Sequence, residues 1–94
     1  MKKNVQYKVP NGKLLKIKLC YDDNTKKIQT LSITGDFFAY PEEAIEQLET
    51  ELQDINLDRL TLHKTIQEFI DTHQIQFIGI DAESLTKTIL MGCS

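Results

Sequence analysis

The stretch from Ile28 to Leu52, IQTLSITGDFFAYPEEAIEQLETEL, decides the fold of this chain. Its first part alternates apolar and hydroxyl side chains, with Leu31 and Ile33 on one side, as in a strand that is buried on one face. Gly35 then interrupts the alternation, and glycine adopts a positive φ at little steric cost. Asp36 follows, and its side chain can accept hydrogen bonds from nearby backbone N–H groups. The pattern therefore predicts a strand that ends in a corner.

The residues after this corner predict an amphipathic helix. Pro41 is expected at the first helical position, where its missing N–H costs nothing. Glu42 and Glu43 would place negative charge at the positive end of the helix dipole. Apolar residues then recur at helical spacing, namely Ala44, Ile45, Leu48 and Leu52. Phe37 and Phe38 lie between corner and helix, and an extended backbone points neighbouring side chains to opposite faces. One ring can therefore enter the core, and the other needs a different surface to pack against.

The string ITGDFFAYPEEAIEQLE, residues 33–49, resembles the accessory domain of lipoate–protein ligases. Two further segments support this resemblance in the same order along the chain, KVPNGKLL at residues 8–15 and GIDAESL at residues 79–85. Together the three segments extend over nearly the whole chain. In this family the domain is either the C-terminal part of the ligase or a separate small protein that works beside a catalytic subunit.

The length of 94 residues predicts one domain over residues 1–94. The net charge of −3 gives no electrostatic support for nucleic-acid binding, although lysines collect between Lys2 and Lys27 while the second half is acidic. No apolar run approaches the roughly 20 residues of a membrane span, and no signal peptide follows Met1. Cys20 and Cys93 have no short-range partner, so we expect no disulfide framework and a cytoplasmic location.

The rest of the first half predicts two more strands. Alternating residues mark a first strand around Val5 and Tyr7 and a second from about Leu15 to Tyr21. Between them, Asn11-Gly12 predicts a type I′ hairpin turn. With the strand that ends near Thr34, these segments predict a three-stranded antiparallel meander.

The second half predicts two further helices. Thr61 is expected to cap a helix that runs to about Thr72, and Asp81 is expected to cap a helix that Gly92 ends. The segment of residues 74–80 is too short to assign. The predicted fold is α+β, with three helices packed on one face of the meander. The resemblance implies the same layout, which sulfur-transfer proteins and iron–sulfur scaffolds share.

No group of residues predicts independent catalysis or a metal site. The glutamates of the first helix are expected on its solvated face, and His63 and His73 are about three helical turns apart, too far to share one metal ion. Sulfur-transfer or iron–sulfur chemistry on this layout commonly needs a thiolate at the corner where the third strand ends. That corner, Gly-Asp-Phe-Phe at residues 35–38, contains no cysteine, so the sulfur-transfer alternative is disfavoured.

The partner-interface candidates lie near the hairpin and the corner: Lys8, Asn11, Gly12, Lys13, Asp36, Phe37 and Phe38. Gly35 and Pro41 are expected to shape the corner. The simpler interpretations are exposed hairpin lysines, an aspartate that forms the turn, and core phenylalanines. The resemblance implies a non-catalytic accessory domain without a bound cofactor, which helps a ligase catalytic subunit form lipoyl-AMP. ATP, Mg²⁺ and lipoate would be held by that subunit, and neither nucleic acid nor a membrane is an expected partner.

Overall fold

The computed structural model describes residues 1–10 and 12–93. In chain order, the elements of this part of the chain are β1 (Lys2–Lys8), β2 (Leu14–Tyr21), β3 (Ile28–Gly35), β4 (Phe38–Tyr40), α1 (Ala44–Glu51), α2 (Arg59–His73), β5 (Gln76–Ile78) and α3 (Ala82–Met91). Strands β1, β2 and β3 form an antiparallel sheet in that order, and β4 pairs with β5. The predicted three-stranded meander and the three helices are confirmed.

The core lies between one face of the meander and the helices. Leu15, Ile17 and Leu19 of β2 are buried on that face, as their alternation predicted. The helices contribute further buried residues, namely Ala44, Leu48, Leu62, Ile66, Leu85 and Ile89. The other face of the sheet is open and carries exposed side chains such as Lys16 and Lys18. The sheet is therefore the half-buried kind that its sequence pattern indicates.

The hairpin between β1 and β2 has a different turn from the predicted one. The Val9 N–H donates to the Lys13 carbonyl at 3.1 Å, and the Gly12 N–H donates to the Val9 carbonyl at 2.8 Å. The turn therefore runs from Val9 to Gly12, with Pro10 at the second position, where its fixed φ is favoured. A two-residue turn at Asn11-Gly12 would instead pair Pro10 with Lys13, and proline has no N–H for that pair. Asn11 itself lies outside the described residues.

The first helix begins later than predicted. Helix α1 starts at Ala44, whose N–H donates to the Pro41 carbonyl at 3.0 Å, and the Tyr40–Pro41 peptide bond is cis. Pro41 therefore lies in a tight turn that leads into the helix and is not its first residue.

The caps of the other two helices differ in how well the sequence predicts them. Asp58, and not Thr61, caps α2, because the extended Asp58 accepts from the Thr61 N–H at 3.0 Å and from the Thr61 hydroxyl at 2.9 Å. These hydrogen bonds lower the pKa of the Asp58 carboxyl. The predicted cap of α3 is confirmed, since Asp81 and Ser84 form a reciprocal capping box there.

Strands β4 and β5 form a short antiparallel ribbon that the sequence pattern does not predict. Phe38 lies opposite Ile78, Ala39 opposite Phe77, and Tyr40 opposite Gln76. Each strand has only three residues, which is too short for an alternation of side chains to be diagnostic. The ribbon forms because the chain beyond the Gly35 corner meets a segment about forty residues further on, and such non-local pairing is not visible in a local pattern.

Candidate partner-binding site at the ribbon end

The corner after β3 depends on a glycine. Gly35 has a φ of +149°, and a Cβ at this position would clash with the carbonyl oxygen of Leu14. The next residue, Asp36, donates its backbone N–H to the same carbonyl at 3.0 Å. The corner therefore folds tightly against the start of β2, and Gly35 uses the positive φ that glycine permits.

The hairpin tip touches the turn that follows β5. The Lys13 N–H donates to the Gly79 carbonyl at 3.4 Å, and a Cβ on Gly12 would lie 2.6 Å from that carbonyl oxygen. Gly79 has a φ of +98°, and a Cβ there would lie 2.7 Å from Cγ of Lys13 and 3.6 Å from Cβ of Phe37. The hairpin tip, the corner and the ribbon thus meet at one end of the domain.

We call this end, formed by residues 12–13, 35–40 and 76–79, the ribbon end. It contains six of the residues singled out from the sequence: Gly12, Lys13, Gly35, Asp36, Phe37 and Phe38. Lys13 and Asp36 are exposed, whereas Phe37 is half-buried against the core. Lys8 ends β1 opposite Leu14 and is not among the residues of the ribbon end. Pro41 follows directly after β4.

The outward side of the ribbon carries three large apolar side chains beside the exposed Gln76. Phe38 is 68% exposed, Tyr40 is 73% exposed and Ile78 is 55% exposed. We call these three side chains the ribbon face. Ala39 and Phe77 alternate with them and are half-buried, and Phe77 packs against the core. The sequence interpretation included Phe38 but missed Tyr40 and Ile78, because strands of three residues are too short for their alternation to be diagnostic.

An open depression of about 380 Å³ lies between the ribbon face and the start of α1, and Phe37, Ile45 and Glu42 also line it. Glu42 places a carboxylate at its edge, and the sequence contains no lysine or arginine from Asp36 to Asp58. Lys13 lies on the hairpin side of the ribbon end. The surface is therefore apolar in the middle and acidic on the side of α1.

The sequence profile of the family described as the bacterial lipoate protein ligase C-terminus matches residues 15–89. This chain belongs to that family. The matched segment contains the corner and both ribbon strands, so most of the ribbon end is within the family domain.

A solved structure gives a second similarity for this ligase C-terminal domain. It comes from a study of an archaeal lipoylation system, a bi-partite lipoate protein ligase and its E2 lipoyl domain from Thermoplasma acidophilum. The two chains are 25% identical with a TM-score of 0.73, and the similarity covers 95% of this chain and 92% of that one. No curated protein matches the chain significantly.

The two cysteines of the ligase C-terminal domain lie away from the ribbon end. Cys20 is in β2, and its thiol donates to the side-chain oxygen of Gln29 at 3.2 Å. Cys93 follows α3, and its thiol donates to the Leu90 carbonyl at 3.3 Å. The corner carries aromatic side chains where the sulfur-transfer alternative would need a thiol.

Within residues 1–10 and 12–93, no three or more histidine, cysteine, aspartate or glutamate side chains are grouped so that they could hold a metal ion. In the same part of the chain, no helix is both long and apolar enough to cross a membrane. What the ribbon end does present is exposed apolar area on a firmly held backbone, which is a means of binding another protein.

Proposed function

We propose that this domain assists the catalytic subunit of a lipoate–protein ligase in forming lipoyl-AMP and has no ligase activity alone. The observation that carries the proposal is the family match over residues 15–89, because the family is the C-terminal part of such ligases. The similarity to a chain from a bi-partite ligase system supports it further, since it extends over 95% of this chain.

The proposed contribution is to the geometry of the reaction. Formation of lipoyl-AMP requires ATP, Mg²⁺ and lipoate to be held in line in a site from which water is excluded. In the proposal these are all held by the catalytic subunit, and the accessory domain orders or closes a loop of that subunit over them. Transfer of the lipoyl group from preformed lipoyl-AMP begins with the activated bond already made, so it should depend less on such closure.

The test compares the two half-reactions of a ligase catalytic subunit that lacks this domain. Pyrophosphate release from ATP and lipoate is measured with and without the domain, and lipoylation of an acceptor protein from supplied lipoyl-AMP is measured in parallel. We expect the domain to increase pyrophosphate release strongly and to change transfer from lipoyl-AMP little. An unrelated protein of similar size and charge is the control. Equal rates of pyrophosphate release with and without the domain would overturn the proposal.

Lys13 and Asp36 offer a finer test, because both are exposed at the ribbon end. Replacing either with alanine should weaken the stimulation of pyrophosphate release. Lys64→Ala is a matched control, since Lys64 is an exposed lysine on α2. Stimulation that survives changes at both Lys13 and Asp36 would remove these two residues from the proposed contact.

A further inference from the structure

We infer that the ribbon face is the surface with which this domain docks on the ligase catalytic subunit, and that it enters an apolar pocket with lysine or arginine side chains at its rim. The inference rests on the proposed function, because it names the surface that the proposed partner contacts.

The first argument is the concentration of exposed apolar side chains. The described residues include six large apolar side chains that are strongly exposed, and three of them form the ribbon face. Phe38 and Ile78 are cross-strand partners, and Tyr40 lies two residues from Phe38 on the same side of β4. They therefore form one contiguous patch, whereas a single exposed residue such as Leu60 in the first turn of α2 is ordinary.

The second argument is that the patch is held in place before any partner binds. Phe77 and Phe37 anchor the two sides of the ribbon in the core, and the hairpin tip contacts the residue that follows β5, where the Lys13 N–H lies 3.4 Å from the Gly79 carbonyl. The side chains of Phe38 and Tyr40 each have only two rotatable bonds, so ordering them costs little entropy. Large aromatic groups on a rigid backbone are the kind of residue that dominates binding energy in protein interfaces.

The third argument is the charge around the patch, which indicates the chemistry of the partner. Glu42 lines the depression beside the ribbon face, and Glu43 and Glu46 are exposed close by in sequence. Because no lysine or arginine occurs from Asp36 to Asp58, nothing in that segment neutralises these carboxylates. A complementary partner would place cationic side chains at the part of its pocket rim that faces α1.

The open face of the meander is the main competing surface. It carries Lys16 and Lys18, and a depression of about 300 Å³ near Lys2 and Cys20 lies on it. Its exposed groups are lysines and uncharged polar side chains such as Thr30 and Thr34, and lysine and serine-like polar residues are depleted in the centres of interfaces. The ribbon face has the opposite composition, which favours it as the docking surface.

The experiment measures the affinity of the full chain for the ligase catalytic subunit of the same organism by titration calorimetry. The variants are Phe38→Ala and Tyr40→Ala, with Leu60→Ala as the matched control, because Leu60 is 80% exposed and lies outside the ribbon end. All three side chains are exposed, so the variants should melt close to the wild type, and thermal unfolding checks this. We expect each ribbon-face variant to weaken binding at least about 30-fold, while Leu60→Ala changes it less than threefold.

Charge reversal tests the rim. Glu42→Lys should weaken binding further at low salt than at high salt, since screening reduces repulsion from a basic rim. If the wild type binds but both ribbon-face variants bind equally well, the docking surface is elsewhere and the inference is wrong, while the proposed function stands. If the wild type does not bind or stimulate the catalytic subunit, the proposed function fails, and the inference fails with it.

Discussion

Replacing Gly35 with valine tests the structural basis of the ribbon end. The φ of +149° at this position disfavours any side chain, and a Cβ would collide with the Leu14 carbonyl oxygen. Forcing a β-branched residue into such a backbone costs about 1–3 kcal/mol. Moving the Leu14 carbonyl would also break its 3.0 Å hydrogen bond from the Asp36 N–H, which contributes about 0.5–1.5 kcal/mol. The expected loss is therefore about 2–4 kcal/mol.

For a chain of 94 residues, that loss corresponds to a fall in melting temperature of roughly 10–25 °C. Differential scanning calorimetry of the wild type and Gly35→Val measures it directly. Thr34→Val is the matched control, because Thr34 is the exposed preceding residue and is already β-branched. It should change the free energy of unfolding by less than about 0.5 kcal/mol. A melting temperature for Gly35→Val within two or three degrees of the wild type would falsify the account of the corner.

Three further predictions concern other parts of the fold. Replacing Cys20 and Cys93 together with serine should leave stimulation of pyrophosphate release unchanged, and loss of stimulation with the fold preserved would restore the sulfur-transfer alternative. Because hydrogen bonds lower the pKa of Asp58 below its usual value of 3.8, this carboxylate stabilises the fold above about pH 4, and its contribution disappears as the pH falls further. Urea titrations should therefore show that the free energy of unfolding falls less on acidification for Asp58→Asn than for the wild type. The Glu49 carboxylate accepts the backbone N–H of Ile33, in the edge strand β3, at 2.6 Å. Glu49→Ala should therefore lower the free energy of unfolding in urea by about 1 kcal/mol, whereas replacing the exposed Glu46 with alanine should not.

The sequence predicts those parts of the fold that depend on residues close together in the chain. The alternation through Leu15, Ile17 and Leu19 is enough to define β2 and its buried face. Asp81 has a serine three residues later, and the two side chains cap α3 locally. Asp58 and Thr61 show the limit of such reasoning, since both residue types cap helices and lie three positions apart. Asp58 is the cap because its backbone is extended, and this backbone conformation cannot be read from the local sequence pattern.

The candidate site was only partly predictable for the same reason. The sequence predicts a corner at Gly35 and Asp36, and it indicates that one of the two phenylalanines after the corner does not fit into the core. That Phe38 is exposed beside Ile78 follows from the pairing of two three-residue strands that are far apart in the chain. The contact between the hairpin tip and Gly79 likewise depends on how the whole domain folds.

The central claim is that the ribbon end faces the ligase catalytic subunit. Hydrogen–deuterium exchange of this domain, free and in the presence of the catalytic subunit, tests the claim most directly. In a two-stranded antiparallel ribbon, alternate backbone N–H groups do not bond to the partner strand, so they should exchange quickly when the domain is free, and their protection on binding would be easy to observe. We predict new protection in residues 36–40 and 76–79, with little change in α2. Protection confined to the open face of the meander around Lys16 and Lys18, with the ribbon unchanged, would contradict the account.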